Sequence, residues 1–324
     1  MLKVEAYREA FITYLQEKIV SKDPQNLYDP VVYILGLGGK RLRPVLTLMT
    51  SEIFGADYRE SLDAALAVEV FHNFSLVHDD IMDDASLRRG KQTVHEKWNL
   101  NTGILSGDVM LILAYQLFEN YKPEIFQKLA KLFSKTAIEV CEGQQYDIDF
   151  ETRDNVTINE YIKMITYKTA VLVGASMKMG AIVADAPKED AEAIYNFGLY
   201  LGIAFQLKDD YLDAFGDQET FGKKIGGDIT ENKKTFLYLK TLENLSKEDR
   251  QQLLNLYSIN PSNPRSKIDA VKEFMIAGKA DEFTLNEIEK YTLKAFSILE
   301  TLSIAGDKKD LLKSFGESLM GRMV

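Results

Sequence analysis

The chain has 324 residues, 46% of them hydrophobic, and a formal net charge of −10. That length carries two ordinary domains or one large one, with enough apolar residues for a sizeable core. The acidic balance argues against nucleic acid or an anionic membrane as the main partner, although local basic clusters can still hold anionic ligands.

The first residues, MLKVEAYREAFITYLQEK, mix charges throughout and contain no apolar run of the signal-peptide kind. Asp23-Pro24 reads as an N-cap followed by a first-turn proline. GGKRLRP, Gly38 to Pro44, is a basic loop whose glycines let the backbone approach an anion closely. Leu62, Leu66, Glu69/Val70, Asn73 and Val77 then follow one helical stripe. The stripe runs into FHNFSLVHDDIMDD, Phe71 to Asp84, where four carboxylates crowd into six residues. Cys141 is the single cysteine, so no intramolecular disulfide forms and a reducing cytoplasm is the expected setting. Thr157-x-x-Glu160 is a capping box and Ser246-x-x-Asp249 a weaker one. The longest apolar run, Ala170 to Ala186, is interrupted by Lys178 and is short for a membrane span, so a buried core helix is expected. NPSNPRSK, Asn260 to Lys267, separates two helical segments and is too short for a domain linker. No proline falls between Pro44 and Pro123, Pro123 and Pro187, or Pro187 and Pro261, which permits long helices. The expectation is an all-α chain of roughly ten or more helices in one large domain, residues 1–324.

Asp79, Asp80 and Asp83 form a DDxxD pattern, with Asp84 adjacent. Helical positions i and i+4 share a face about 5–6 Å apart, which aligns Asp79 with Asp83 and Asp80 with Asp84. Two carboxylates so placed can share a hard divalent cation, and Mg²⁺ typically completes its shell with phosphate oxygens. A solvated acidic helix end would give the same short pattern. The pattern recurs in FQLKDDYLD at Asp209, Asp210 and Asp213, 130 positions further on. Facing helices could hold metal between the two motifs; without metal, each carboxylate would raise the others' pKa. Basic residues follow each acidic motif: Arg88 and Arg89 after the first, and Lys223, Lys224, Lys233 and Lys234 after the second. Any one basic pair alone would be ordinary surface charge. With Lys40, Arg41 and Arg43, they suggest two diphosphate sites, one bridged by metal and one bound mainly by Arg and Lys.

In order, GGKRLRP, DDxxD followed by RRG, YKTA, FQLKDDYLD, GKKIGGDI and NKKT resemble the trans-isoprenyl diphosphate synthases, which include farnesyl and geranylgeranyl diphosphate synthases. The matched motifs run from Gly38 to Thr235; the remainder carries no such motif. The resemblance implies a helical bundle around a central cavity, the isoprenoid synthase fold. It also implies a homodimer, with Gly103 to Phe118 a candidate for burial in it. The reaction implied is Mg²⁺-dependent condensation of isopentenyl diphosphate with an allylic diphosphate. Three Mg²⁺ ions would be held through Asp79, Asp83 and Asp209, with Asp80, Asp84, Asp210 and Asp213 behind them or acting through water. Arg88, Lys168, Thr169, Gln206, Lys224 and Lys233 match positions that contact the allylic substrate. Lys168, Thr169 and Gln206 would also serve the carbocation. Lys40, Arg43, His72 and Arg89 match the isopentenyl diphosphate pocket, His72 standing where eukaryotic members have glutamine. His78 and His95 are expected in helix-end hydrogen bonds.

The same resemblance places chain-length control just before the first motif. Phe74 lies five residues before Asp79 and Ser75 four, and Phe71 shares a helical face with Phe74. An aromatic at the fifth position alone, with no insertion in DDxxD, resembles the archaeal C20 pattern; C15 is the near alternative. Two other readings remain open. A class I terpene cyclase shares DDxxD, but the second motif and GGKRLRP speak against it. A regulatory subunit of a heteromeric synthase would usually lack the aspartates that are intact here.

Overall fold

The structure, a computed structural model, describes residues 3–217 and 225–321. Helices account for nearly all regular structure, as expected. Among the described residues, the strands are Leu87–Arg88 and Lys91–Gln92, which form one antiparallel hairpin. The chain divides into two compact units: Met1–Lys135 with Ala175–Tyr195, and Thr136–Gly174 with Asn196–Val324.

The first unit is organised by the 21-residue helix Leu62–Met82. Its start is rich in buried Ala64, Ala65 and Ala67, small side chains that let neighbours come close. Helices Val4–Lys18, Gln25–Gly36, Leu42–Ile53 and Leu100–Gln116 all pack on it. The stripe read from the sequence is buried from Leu66 onward, including its polar members Glu69 and Asn73. Glu69 is tolerated because the buried Arg41 pairs with it, while Arg41 also donates to the Leu35 carbonyl. Asn73 Nδ2 donates to the Glu69 backbone oxygen at 2.8 Å and to its Oε1 at 3.1 Å. Arg41, grouped by sequence with the phosphate binders, is therefore the counter-ion of a core carboxylate. Sequence could not separate it from Lys40 and Arg43, because its partner lies 28 positions away.

The Asp23-Pro24 start signal shifts by one residue. Pro24 itself is the N-cap of Gln25–Gly36, its carbonyl accepts from Leu27 at 2.9 Å, and no side chain caps that end. The apolar run from Ala170 forms the buried helix Val171–Val183. It crosses Leu42–Ile53 so closely that a Cβ on Gly180 would lie 2.2 Å from the Thr47 carbonyl oxygen. Helix Leu100–Gln116 and its short continuation to Asn120 are long and apolar enough, by length and composition alone, to cross a bilayer. Exposed Ile104, Leu105 and Ile112 face outward from it, beside Asp108.

The second unit holds its own core, gathered around Tyr161, Leu207, Leu237, Leu253, Val271 and Ile288. Both arms of the Thr157/Glu160 capping box form at the start of helix Ile158–Ile165. Ser246 Oγ accepts from the Asp249 amide at 3.2 Å and so caps Lys247–Leu256. Helix Ile158–Ile165 runs into a π-helical turn, Thr166–Ala170. Two glycines admit it. A Cβ on Gly143 would sit 2.2 Å from the Lys168 amide nitrogen, and one on Gly202 would sit 2.8 Å from the Ala170 Cα. The C-terminal part contributes the helices Arg265–Ala277, Ala280–Leu299 and Gly306–Met320. Lys208, buried, donates to the Met320 carbonyl at 2.6 Å and to that of Leu319 at 3.2 Å, capping the last helix.

Candidate active site

In the first unit the Leu62–Met82 helix delivers Asp79 and Asp80 in its last turn, and Asp83 stands at its C-cap. Asp83 still has helical dihedrals, and its amide donates to the Asp79 carbonyl at 2.9 Å. The i, i+4 alignment expected for Asp79 and Asp83 is therefore kept to the end of the helix. Asp84 leaves it with a φ of 49°. Asp80 is fully buried, and its Oδ1 accepts from Arg88 Nε at 2.7 Å and pairs with Arg88 Nη2 at 2.6 Å. Arg88 Nη2 is 3.7 Å from Asp79 Oδ2. Burial pushes the Asp80 carboxyl up in spite of that guanidinium.

The RRG motif has a local cause that the sequence reading missed. Leu87 pairs with Gln92 and Arg88 with Lys91, leaving Arg89-Gly90 as a two-residue turn. Both have positive φ, 53° and 74°, as a type I′ hairpin requires. The glycine after two arginines was the available signal. Arg88 is on the strand, beside the aspartates. Arg89 is at the tip, where its guanidinium donates to the Gly38 carbonyl and lies 3.0 Å from where a Gly39 Cβ would be.

Gly38, Gly39, Arg43, His72 and Arg89 thus converge, with Lys40 exposed next to Gly39. Arg43 Nη1 is 3.3 Å from His72 Nε2. Burial pushes the imidazole well down, and Arg43, Arg89, Arg88 and Arg41 add to the shift. A neutral His72 inside a cationic cluster can donate one N–H to an anion without adding to the repulsion. Glu69, the carboxylate that acts on Arg43 and Arg89, is itself paired with Arg41, so the collected positive groups form a receptor for a multiply charged anion.

On the same helix, Phe74 and Phe71 lie five and eight residues before Asp79, their ring centroids 5.6 Å apart. Phe71 is buried and packs edge-on against Phe133 at 5.0 Å, and Phe133 in turn meets Tyr115 at 4.7 Å. Ser75 adds no bulk, and its Oγ donates to the His72 carbonyl at 2.8 Å. His78 Nε2 lies 3.2 Å from the Ile104 carbonyl, over Gly107, where any Cβ would collide with the ring. That is the structural hydrogen bond expected of it. His95 is different: both of its buried ring nitrogens have no hydrogen-bond partner among the described residues.

In the second unit a cavity of about 120 Å³ is lined by Lys168, Thr169, Gln206, Asp210, Asp228 and Lys233, among others. Thr169 Oγ1 donates to Gln206 Oε1 at 3.1 Å, and Gln206 Nε2 donates to Asp210 Oδ1 at 2.8 Å. Tyr161 donates to the other oxygen of Asp210. Lys168, on the π turn, pairs with Asp147 at 2.6 Å. Asp213 accepts from the Asp228 amide at 3.0 Å and the Gly227 amide at 3.2 Å, holding the loop that carries Asp228 and Lys233. Tyr161, Asp147 and Asp228 were not singled out from the sequence. Only Asp228, inside the quoted GGDI, had a signal. Lys223 and Lys224 lie outside the described residues.

Burial pushes the Asp210 carboxyl up. It pushes up Asp228 too, with Asp210 and Asp213 adding repulsion. A carboxylate group crowded in this way is relieved by a divalent cation, so Mg²⁺ fits the donor set. Among the described residues, no three His, Cys, Asp or Glu side chains form a closed metal cage. A cation bound by one or two of these carboxylates would complete its shell with water and phosphate oxygens, as Mg²⁺ does.

The helical fold and paired acid-base motifs define a class of diphosphate-handling helical proteins, and comparison with known proteins makes the class specific. The polyprenyl synthetase family profile matches residues 24–275, and the chain belongs to that family. It is similar to a crystal structure of a geranylgeranyl pyrophosphate synthase, at 53% identity and a TM-score of 0.96 over 100% of both chains. The geranylgeranyl pyrophosphate synthetase from Pyrococcus horikoshii Ot3 matches 98% of this chain and 96% of its own, at 32% identity and a TM-score of 0.91. The geranylgeranyl diphosphate synthase of Sulfolobus acidocaldarius is 38% identical over 296 residues, 89% of this chain and 88% of its own. Polyprenyl synthetases use Mg²⁺.

Proposed function

We propose that this protein is a short-chain prenyltransferase that joins isopentenyl diphosphate to an allylic diphosphate and releases diphosphate, with a C20 all-trans end product. The observation that carries the reading is the convergence of Gly38, Gly39, Arg43, His72 and Arg89 beside, but separate from, the aspartate-bound Arg88. A protein handling one diphosphate has no use for a second, metal-independent cradle. Lys40, Arg43, His72 and Arg89 are assigned to isopentenyl diphosphate. Arg88, Lys168, Thr169, Gln206, Lys224 and Lys233 are assigned to the allylic substrate.

Asp79, Asp83 and Asp209 are the proposed ligands of three Mg²⁺ ions, which when bound supply Lewis-acid stabilisation of departing diphosphate. Asp80 and Asp210 act behind them: Asp80 fixes Arg88, and Asp210 fixes Gln206. Thr169 and Gln206 present neutral oxygen dipoles where the allylic carbocation forms. The diphosphate released from the allylic carbon is the proposed base for the final proton. Phe74, backed by Phe71, is the proposed floor under the growing tail, and Ser75 leaves the space that a second aromatic would fill. The enzyme is placed in the cytoplasm, without stable membrane insertion. It is expected to be a homodimer that covers the exposed Ile104, Leu105 and Ile112 face.

Incubation with Mg²⁺ and one or both substrates tests the reading. Pyrophosphate release only when both are present is the expected result. Release from the allylic substrate alone would indicate a cyclase, and no release in any mixture would indicate a non-catalytic subunit.

A further inference from the structure

The polar stretch after the last family motif contains a buried lysine with no carboxylate partner among the described residues. Lys267 is 3% exposed although the sequence around it, NPSNPRSK, reads as a solvated connection. Its Nζ donates to Asn232 Oδ1 at 2.5 Å and to the Ile259 carbonyl at 3.0 Å, and it lies 5.7 Å from the Tyr257 ring centroid. Burying an ammonium against neutral oxygens costs more than it returns in stability, and burial pushes its pKa down. A stability role therefore explains it poorly.

Its partner is informative. Asn232 sits at a φ of 58°, a left-handed conformation that asparagine tolerates better than most residues. Its amide is engaged at both ends, since Nδ2 also donates to Asn260 Oδ1 at 2.7 Å. The next residue is Lys233, which lines the cavity with Asp228 and Lys168. The Lys233 amide donates to the Asp228 carbonyl at 2.9 Å, so the backbone turn at Asn232 sets where the Lys233 side chain leaves the loop. The other end of the loop is held by the same helix: a Cβ on Gly226 would lie 2.7 Å from Ile268 Cδ1.

We propose that Lys267 is a positioning residue for the allylic diphosphate site, locking the left-handed turn at Asn232 and thereby aiming Lys233 into the cavity. The proposal rests on the assignment of Lys233 to the allylic substrate. It gives a task to a segment that carries none of the family motifs.

The test compares the full-length parent with K267M, K267R, K233A and K267M/K233A, all with Mg²⁺. Two readouts are taken: KM for each substrate, and calorimetric affinity for a thiolodiphosphate analogue of the allylic substrate, which needs no turnover. Losing the aim of one charge-assisted contact predicts about a tenfold rise in allylic KM and analogue Kd for K267M. KM for isopentenyl diphosphate stays at the parent value, and K267R restores most of the loss. In the K233A background, K267M adds nothing further, because the two act through one contact. An unchanged allylic KM and analogue affinity in K267M would overturn the proposal, as would a full additional loss on top of K233A. Should K267M fail to fold by circular dichroism, N232G removes the acceptor while glycine keeps the left-handed turn, and the same outcomes apply. A parent that binds the analogue but does not turn over would count against the proposed reaction and leave the binding comparison able to decide this one.

Discussion

At the scale of single residues, chemically similar neighbours do different work. Arg41 and Arg43 are two positions apart, yet Arg41 neutralises buried Glu69 whereas Arg43 reaches His72. Breaking a buried pair by removing one partner costs about 3–5 kcal/mol, so Arg41→Ala should lower the thermal midpoint steeply. Lys40→Ala should leave the midpoint near the parent value and raise KM for isopentenyl diphosphate. Equal melting curves for Arg41→Ala and the parent would contradict the assignment. His72 gives a prediction in pH. Its folded pKa is depressed by burial first and then by Arg43 and the other arginines. Between the folded value and about 6.5, the ordinary histidine value, the unfolded chain holds a proton that the folded one does not. Stability from this group is complete above about pH 6.5 and falls as pH drops below it. With three histidines in the chain, proton NMR can follow each ring. A His72 midpoint near 6.5 in the free protein would contradict the cationic cluster. Bound diphosphate should raise the midpoint.

At the scale of elements, the sequence showed its strongest patterns and hid contacts that depend on the tertiary fold. The Thr157/Glu160 box, the buried run after Ala170 and the stripe from Leu62 were legible because periodicity and capping are local. The Arg89-Gly90 hairpin was not, because two-residue strands carry no period. The π turn was hidden as well, since Gly143 and Gly202 reveal their purpose only when two other helices come against Lys168 and Ala170. Gly143→Ala should push the Lys168 backbone away and reduce kcat by more than about tenfold, since misplacement near 1 Å can cost about a hundredfold. Helical circular dichroism should survive. Parent-like kcat in that variant would show the turn to be irrelevant to turnover. The helix carrying the first aspartates also carries Phe74, so Phe74→Ala should lengthen the product. Chromatography giving the parent chain length would remove Phe74 from the floor.

At the scale of the molecule, the class of fold and the family were legible from the order of motifs between Gly38 and Thr235. What lay beyond was not, because Lys208 and Lys267 act on backbone and amide groups far away in sequence. Assembly is predicted from the outward apolar residues on Leu100–Gln116, where exposed Leu105 and Ile112 lie two turns apart. Light scattering should give twice the chain mass, and Leu105→Asp with Ile112→Asp should give the single chain. A parent that runs as a monomer would refute the homodimer. The central claim is carbon–carbon bond formation between two diphosphates, and the most direct measurement is product identity. With labelled isopentenyl diphosphate, Mg²⁺ and each allylic primer in turn, followed by dephosphorylation and chromatography, the label should accumulate in a C20 prenyl alcohol. Label that never enters a chain longer than the primer, whichever primer is supplied, would contradict it.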